Sequence, residues 1–232
     1  MLDIARFIAG VAILGYASYT DIKTRMASNV LWIIMGLLGA VLLVIQYFTV
    51  GIENPIQLLF IPILIVIVYV LFYIGIIFGG ADAKAIMALT ILTPLWPDIS
   101  DFPIHPSLMP FTWSIFSNAI ILFLFIPPAF LIFNAIRRDV ELPYALLGYR
   151  MDAEEAKKKF VWPLEKIVNG KRKLVFMPED FDATEHIDEL EKAGMKKIWV
   201  TPKVPFMIPL LVGFIVAFIY GDILFVIVDL II

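Results

Sequence analysis

The sequence predicts an all-α polytopic membrane protein: six transmembrane helices with a small α+β cytoplasmic insert between helices five and six. Three observations lead there. Hydrophobic residues fill 61 % of the 232 positions and charged residues 17 %, with a mean hydropathy of +0.93, whereas a soluble domain is nearer half apolar and a quarter charged. The apolar residues collect in uncharged runs long enough to cross a hydrocarbon layer about 30 Å thick, which takes roughly 20 helical residues. Lys and Arg fall almost wholly on alternate connections between those runs. The composition also excludes several classes of function. A net charge of −3 offers no concentrated basic face for nucleic acid. The absence of cysteine excludes disulfides, thiol nucleophiles, Cys-ligated zinc and iron–sulfur clusters.

The first helix is expected over residues 4–20, bounded by Arg6 and Asp21. Lys23 and Arg25 behind it argue for a retained span rather than a cleaved signal segment. Residues 30–50 form the second, with Gln46 and Thr49 as its only polar interruptions, and residues 55–78 the third, without a charge. The fourth uncharged stretch, residues 85–97, is short, so it spans only by beginning at Asp82 and Lys84. Residues 111–136 carry no charge and make the fifth, with a kink expected at Pro127 and Pro128. Residues 204–232, apolar except for Asp222 and Asp229, make the sixth.

Residues 137–203 form the insert, with 14 basic and 13 acidic residues. Residues 165–168 and 171–176 flank Asn169-Gly170, a dipeptide suited to a tight hairpin turn. Asp182 and Glu185 are spaced to cap a helix with Ile187 and Leu190 on its apolar side and Gly194 at its end. Residues 197–201 read as a strand. The chain thus divides into a membrane part, 1–136, the insert, 137–203, and the sixth helix, 204–232.

Positive residues beside spans stay on the cytoplasmic side. Six spans place Lys23, Arg25, Lys84 and the 14 basic residues of the insert, 17 of 18, on one face, and leave residues 51–54 and 95–110 outside without Lys or Arg. Only Arg6 dissents. Both termini are then outside the cell membrane, and omitting the short fourth span would put the basic insert on the wrong side.

Ionisable residues at membrane edges and inside spans are costly, so each is a candidate for function. Asp21, Asp82, Lys84 and Asp222 qualify. Asp21 ends the first helix and Asp82 opens the fourth on the same face, because the chain leaves that face along helix two and returns along helix three. Taken singly, Asp82 reads as an N-terminal helix cap and Asp21 as a loop residue paired with Lys23 or Arg25. Taken together, behind the Gly79-Gly80-Ala81 loop that lets a peptide approach closely, they match what acid–base attack on a peptide bond requires. One ionised carboxylate takes a proton from water while its protonated partner polarises the carbonyl. Lys23 and Lys84 are candidate modulators of the pair. Asp222 reads as a polar contact between helices, and the acidic run at 179–191 as a solvated helix face. His105 and His186 are too separated to build a metal centre, so neither metal nor cofactor is expected.

Asp21-Ile22-Lys23-Thr24-Arg25 with Asn29, and Gly79-Gly80-Ala81-Asp82-Ala83-Lys84, resemble the two signature segments of type IV prepilin peptidases and the archaeal preflagellin peptidases, membrane aspartic proteases of the GxGD class. The resemblance covers these motifs and the six spans, not the insert. It implies that Asp21 and Asp82 are the catalytic pair, with Gly79, Gly80 and Ala81 as the active-site loop, and that no cofactor is used. The implied partner is a preflagellin or prepilin-like precursor with a short basic leader, cut at the cytoplasmic face of the bilayer. Ala81 stands where GxGD has its second glycine, and the cysteine motifs of many bacterial members are missing; both fit the preflagellin branch, and no N-methylating activity is expected. The alternative is a small proton-coupled transporter or channel using the same aspartates as a relay, against which stand the absence of an internal repeat and the position of the charges at an edge.

Overall fold

A computed structural model describes residues 1–77, 79–168, 170–175 and 183–231. The chain is mostly helical and divides into two compact units, Met1–Phe123 with Pro205–Ile232, and Leu124–Val204. Four helical stretches are long and apolar enough to cross a membrane, Leu2–Thr24, Asn29–Thr49, Pro55–Tyr73 and Phe111–Ile136. The fourth and sixth expected crossings instead hold 13-residue helices.

In the first unit, helix α1 (Leu2–Thr24) runs a turn further than the apolar stretch predicts, so Asp21 is helical. It ends at Arg25, left-handed at φ 55°. Helix α2 (Asn29–Thr49) starts at the Ser28 cap, whose hydroxyl accepts from the Val30 N–H. A 3-10 turn (Pro55–Leu59) leads into α3 (Phe60–Tyr73). Then come α4 (Gly80–Leu92) and α5 (Phe111–Leu124). The expected single last helix is two, α10 (Met207–Ile219) and α11 (Ile223–Ile231).

The core lies where α4 packs on α2 and α3, and α10 on α1. Leu14, Met35, Leu89, Leu92, Ile115 and Phe214 are fully buried there. Small residues bring the backbones together, as in membrane helix pairs generally. A side chain at Gly39 would meet the Leu92 backbone at 2.5 Å, and one at Gly213 would meet the Ile115 carbonyl at 2.7 Å. The outer faces of α2 and α3, including Ile33, Leu37, Val41, Val66 and Val70, are apolar and exposed. That surface suits hydrocarbon rather than water.

Polar contacts in this unit fall into two layers at opposite ends of α1. At one end, Arg6 is buried and pairs with Asp3 at 2.8 Å and with Gln46 at 2.7 Å, while Asp3 also accepts from the Asp98 N–H at 3.2 Å. The basic residue that dissents from the charge pattern is therefore neutralised inside the protein. The loop before α5 joins the break in the last helix: the His105 N–H donates to Tyr220 at 2.8 Å and its carbonyl accepts from the Asp222 N–H at 3.0 Å. Asp222, 2 % exposed, accepts from Ser107 at 2.8 Å, Ser114 at 2.7 Å and the Phe225 N–H at 3.1 Å. It is the expected contact between helices and also the cap of α11. Gly221 (φ 104°) permits the break, since any side chain there would strike the His105 carbonyl at 2.0 Å.

The second unit begins with α6 (Ile126–Ile136), which starts afresh after Phe125 because Pro127 fits a helix's first turn, where a missing N–H costs nothing. The expected kink is thus a break just ahead of the prolines. Short helices α7 (Tyr144–Leu147) and α8 (Ala153–Ala156) flank β1 (Tyr149–Asp152). Strand β5 (Lys197–Pro202) lies between β1 and β2 (Val161–Pro163), antiparallel to both. The expected hairpin is β3 (Glu165–Val168) with β4 (Lys171–Leu174), pairing Val168 with Lys171, and Gly170 has φ 73°; Asn169 lies outside the described residues. Helix α9 (Ala183–Lys192) buries Ile187 and Leu190 as expected and is followed by Gly194 at φ 86°, while its expected cap, Asp182, lies outside the described residues. Strands β1 and β2 were not expected: at three or four residues each, they have no pattern of their own and exist through β5.

Candidate active site

Asp21 and Asp82 come from different helices of the first unit, and each carboxylate stands at a helix amino end. Asp82 is in the first turn of α4, three residues past the N-terminal cap Gly79. Asp21 lies in the last turn of α1, and the N–H of Met207, the first residue of α10, is directed to its carboxylate. Free N–H groups and the dipole at such ends favour negative charge. The two are close enough for the Asp21 charge to act on Asp82. Both are half-buried, and among the described residues neither is held in an ion pair. Of the bland readings, pairing of Asp21 with Lys23 therefore fails, while Asp82 does occupy a helix's first turn.

The cations divide differently from expectation. Lys23 Nζ donates to the Tyr19 hydroxyl and lies over that ring at 4.4 Å. Lys84 Nζ donates to Asn29 Oδ1 at 2.9 Å, tying the start of α4 to the start of α2. The cation acting on Asp21 is Arg25. Gly79 has ordinary extended geometry, φ −89° and ψ 115°, but a Cβ there would fall 1.9 Å from Asp82 Oδ2. At Gly80 the nearest atoms are those of the Phe72 ring at 3.7 Å. Ala81 packs its methyl against the core.

Other features were out of reach of the sequence. Met207 approaches Asp21 only through the packing of α10 on α1. The Ser18 hydroxyl and the Trp32 indole N–H are buried without a partner, and sequence alone does not report hydrogen-bond satisfaction. His105 lies in the loop before α5 of the first unit and His186 on α9 of the second, and among the described residues no group of three or more His, Asp or Glu gathers as for a metal.

Chemically, two half-buried, mutually sensitive carboxylates, neither in an ion pair among the described residues, can share a proton and activate water. Residues 8–132 match the type IV leader peptidase family, and residues 140–223 match the archaeal peptidase A24 C-terminus, type II. The preflagellin peptidase of Methanococcus voltae is 30 % identical over 223 residues, covering 89 % of this chain and 91 % of that protein. The preflagellin peptidases of Methanocaldococcus jannaschii and Methanococcus maripaludis are each 27 % identical, covering 93 % of this chain and 94 % and 95 % of theirs. The chain belongs to the type IV leader peptidase family and is a peptidase.

Proposed function

We propose that the protein is an intramembrane aspartic endopeptidase that removes the short basic leader of preflagellin or prepilin-like precursors at the cytoplasmic membrane face, with Asp21 and Asp82 activating water. The observation that carries this reading is that the two carboxylates, from different helices, stand within range of each other's charge at the amino ends of α10 and α4, with neither in an ion pair among the described residues. The ionised member takes a proton from water, whose oxygen attacks the scissile carbonyl, while the protonated member gives its proton to the carbonyl oxygen. The resulting tetrahedral diol breaks down as the newly protonated member passes its proton to the leaving amine and the other takes a proton from a diol hydroxyl, so that the pair returns to one proton between two carboxylates.

The two layers of polar contacts support the topology. The Met207 N–H reaches Asp21 at the last turn of α1, and Lys84 bonds to Asn29 at the start of α2; Asp3, Gln46 and Asp98 lie at the first turns of α1, around Arg6. With α4 and α10 as the fourth and sixth crossings, the Asp21 end is cytoplasmic, together with residues 137–203, and a precursor's basic leader lies at the same face. Cleavage of a coexpressed preflagellin-type precursor in membranes should be lost in both Asp21→Asn and Asp82→Asn, with the protein still present. The amino-terminal sequence of the wild-type product should begin just before the precursor's hydrophobic segment. Full activity in either variant removes the assignment.

A further inference from the structure

Of the buried serines and threonines among the described residues, Ser18 is the one whose hydroxyl has no partner. The others are satisfied: Thr90 and Thr93 donate to carbonyls one turn back at 2.9 Å, Thr112 to the Thr93 carbonyl at 3.1 Å, Ser114 to Asp222 at 2.7 Å and Ser117 to the Ser114 carbonyl at 3.1 Å. On α1 itself, Thr20 and Thr24 donate back to Ala17 and Thr20 at 2.9 Å. That back-bond is the ordinary resort of a helical hydroxyl. Ser18, 6 % exposed, does not take it, and a buried hydroxyl without a partner costs stability. Its place on the helix gives the reason. Ser18 stands three residues before Asp21, on the stripe formed by Leu14, Ala17 and Ser18, and side chains so spaced are neighbours.

We propose that Ser18 is a positioning residue of the aspartate pair: in the working site its hydroxyl donates to the Asp21 carboxylate, holding it ionised as the base and leaving Asp82 as the proton-bearing member. The inference rests on the aspartate mechanism proposed above. A hydrogen bond to the charged form of a carboxylate favours that form, and the Met207 N–H at the head of α10 is directed to the same carboxylate. The other charged groups facing Asp21 are few. Arg25 is on its own helix, with Lys23 turned onto Tyr19; Asp82 and Lys84 are on α4, the latter bonded to Asn29. Helices α2 and α10 carry no charged residue.

The test is precursor cleavage in membranes across pH 5–9 by the full-length wild type, Ser18→Ala and Ser18→Thr, with Asp21→Asn and Asp82→Asn as controls and thermal unfolding in detergent alongside. Ser18→Ala removes an unpaired hydroxyl, so its melting temperature should equal or exceed that of the wild type. Its kcat should fall about tenfold at neutral pH with KM unchanged, and the rising acid-side limb of its pH profile should move up by about one pH unit. Ser18→Thr, which keeps the hydroxyl, should recover most of both. A wild-type kcat and acid limb in Ser18→Ala, with both aspartate variants inactive, overturns the role of Ser18 alone. A kcat loss accompanied by a lowered melting temperature and no recovery in Ser18→Thr overturns it equally, as a packing defect. Activity in an aspartate variant overturns the mechanism beneath it.

Discussion

Gly79 is required by a carboxylate rather than by its own backbone. Its φ and ψ suit any residue, yet a methyl group there would occupy the space of Asp82 Oδ2. A two-glycine loop reads from sequence as room for a substrate backbone; the room at Gly79 is taken by Asp82 itself. Misplacing a reacting group by about 1 Å costs on the order of 100-fold in rate. Gly79→Ala should therefore lose cleavage by about that factor at normal protein levels, whereas Gly80→Ala, with only a ring at 3.7 Å, should stay within about threefold. Cleavage per amount of membrane-inserted protein measures both. The motif residues were legible because ionisable groups in an apolar chain are rare and stand out. The partners of Lys23, Lys84 and Arg6 were not, because each depends on a rotamer and a neighbour the sequence does not fix.

The helix that delivers Asp82 is seated by a crossing far along the chain from it. At Gly39 of α2 a Cβ would lie 2.5 Å from the backbone of Leu92, at the other end of α4. Backbone cannot rotate aside as a side chain can, so the helices must separate. Gly39→Ala should destabilise the protein by about 1–3 kcal/mol and reduce cleavage as α4 shifts, while Gly36→Ala, 3.7 Å from the end of the Ile91 side chain, should do neither. Thermal unfolding in detergent and the cleavage assay compare them. Long uncharged runs announced α2, α3 and α5 well, since hydrophobic length is a property of sequence. The break at Gly221 and Asp222 was hidden inside such a run. It makes sense only with Ser107, Ser114 and Asn118, which come from the opposing elements and donate to Asp222 and the Gly221 carbonyl.

Across the whole molecule, each compact unit has a core of its own, and the second, with 14 basic and 13 acidic residues, nearly balances its charge. In Leu124–Val204, Glu141 accepts from Arg150 at 2.6 Å, from Arg172 at 2.8 Å and from the Trp199 indole at 3.1 Å. Partial burial alone would raise its pKa, but the hydrogen bonds from Trp199 and Arg172 and the charges of Arg172 and Arg150 outweigh it and hold the carboxyl below the usual range. A carboxyl so lowered on folding stabilises the native state above its unfolded value, and the contribution is lost as pH falls through the folded value. Glu141→Gln should therefore cost about 1 kcal/mol at pH 7, solvent screening included, and the difference from wild type should vanish by about pH 3. Thermal unfolding of the full chain at the two pH values measures it. Glu165 works in the opposite sense, raised by burial against the pull of Arg172, and cancels because both proteins carry it.

The apolar, membrane-like character of the chain could be read from sequence at this scale, because its uncharged runs are long. The lengths of α4 and α10 could not, because tertiary contacts end them. Their 13 residues each cover about 20 Å of a hydrocarbon layer about 30 Å deep. With these two helices as the proposed fourth and sixth crossings, the bilayer beside them meets a hydrophobic deficit, which lipids relieve by thinning and which water fills where they do not. α4 carries Asp82 and α10 presents its first N–H to Asp21. On the six-span topology and aspartate mechanism proposed above, their shortness thins the dielectric barrier above the carboxylates, giving a reaction that consumes water a wetted approach through an apolar solvent.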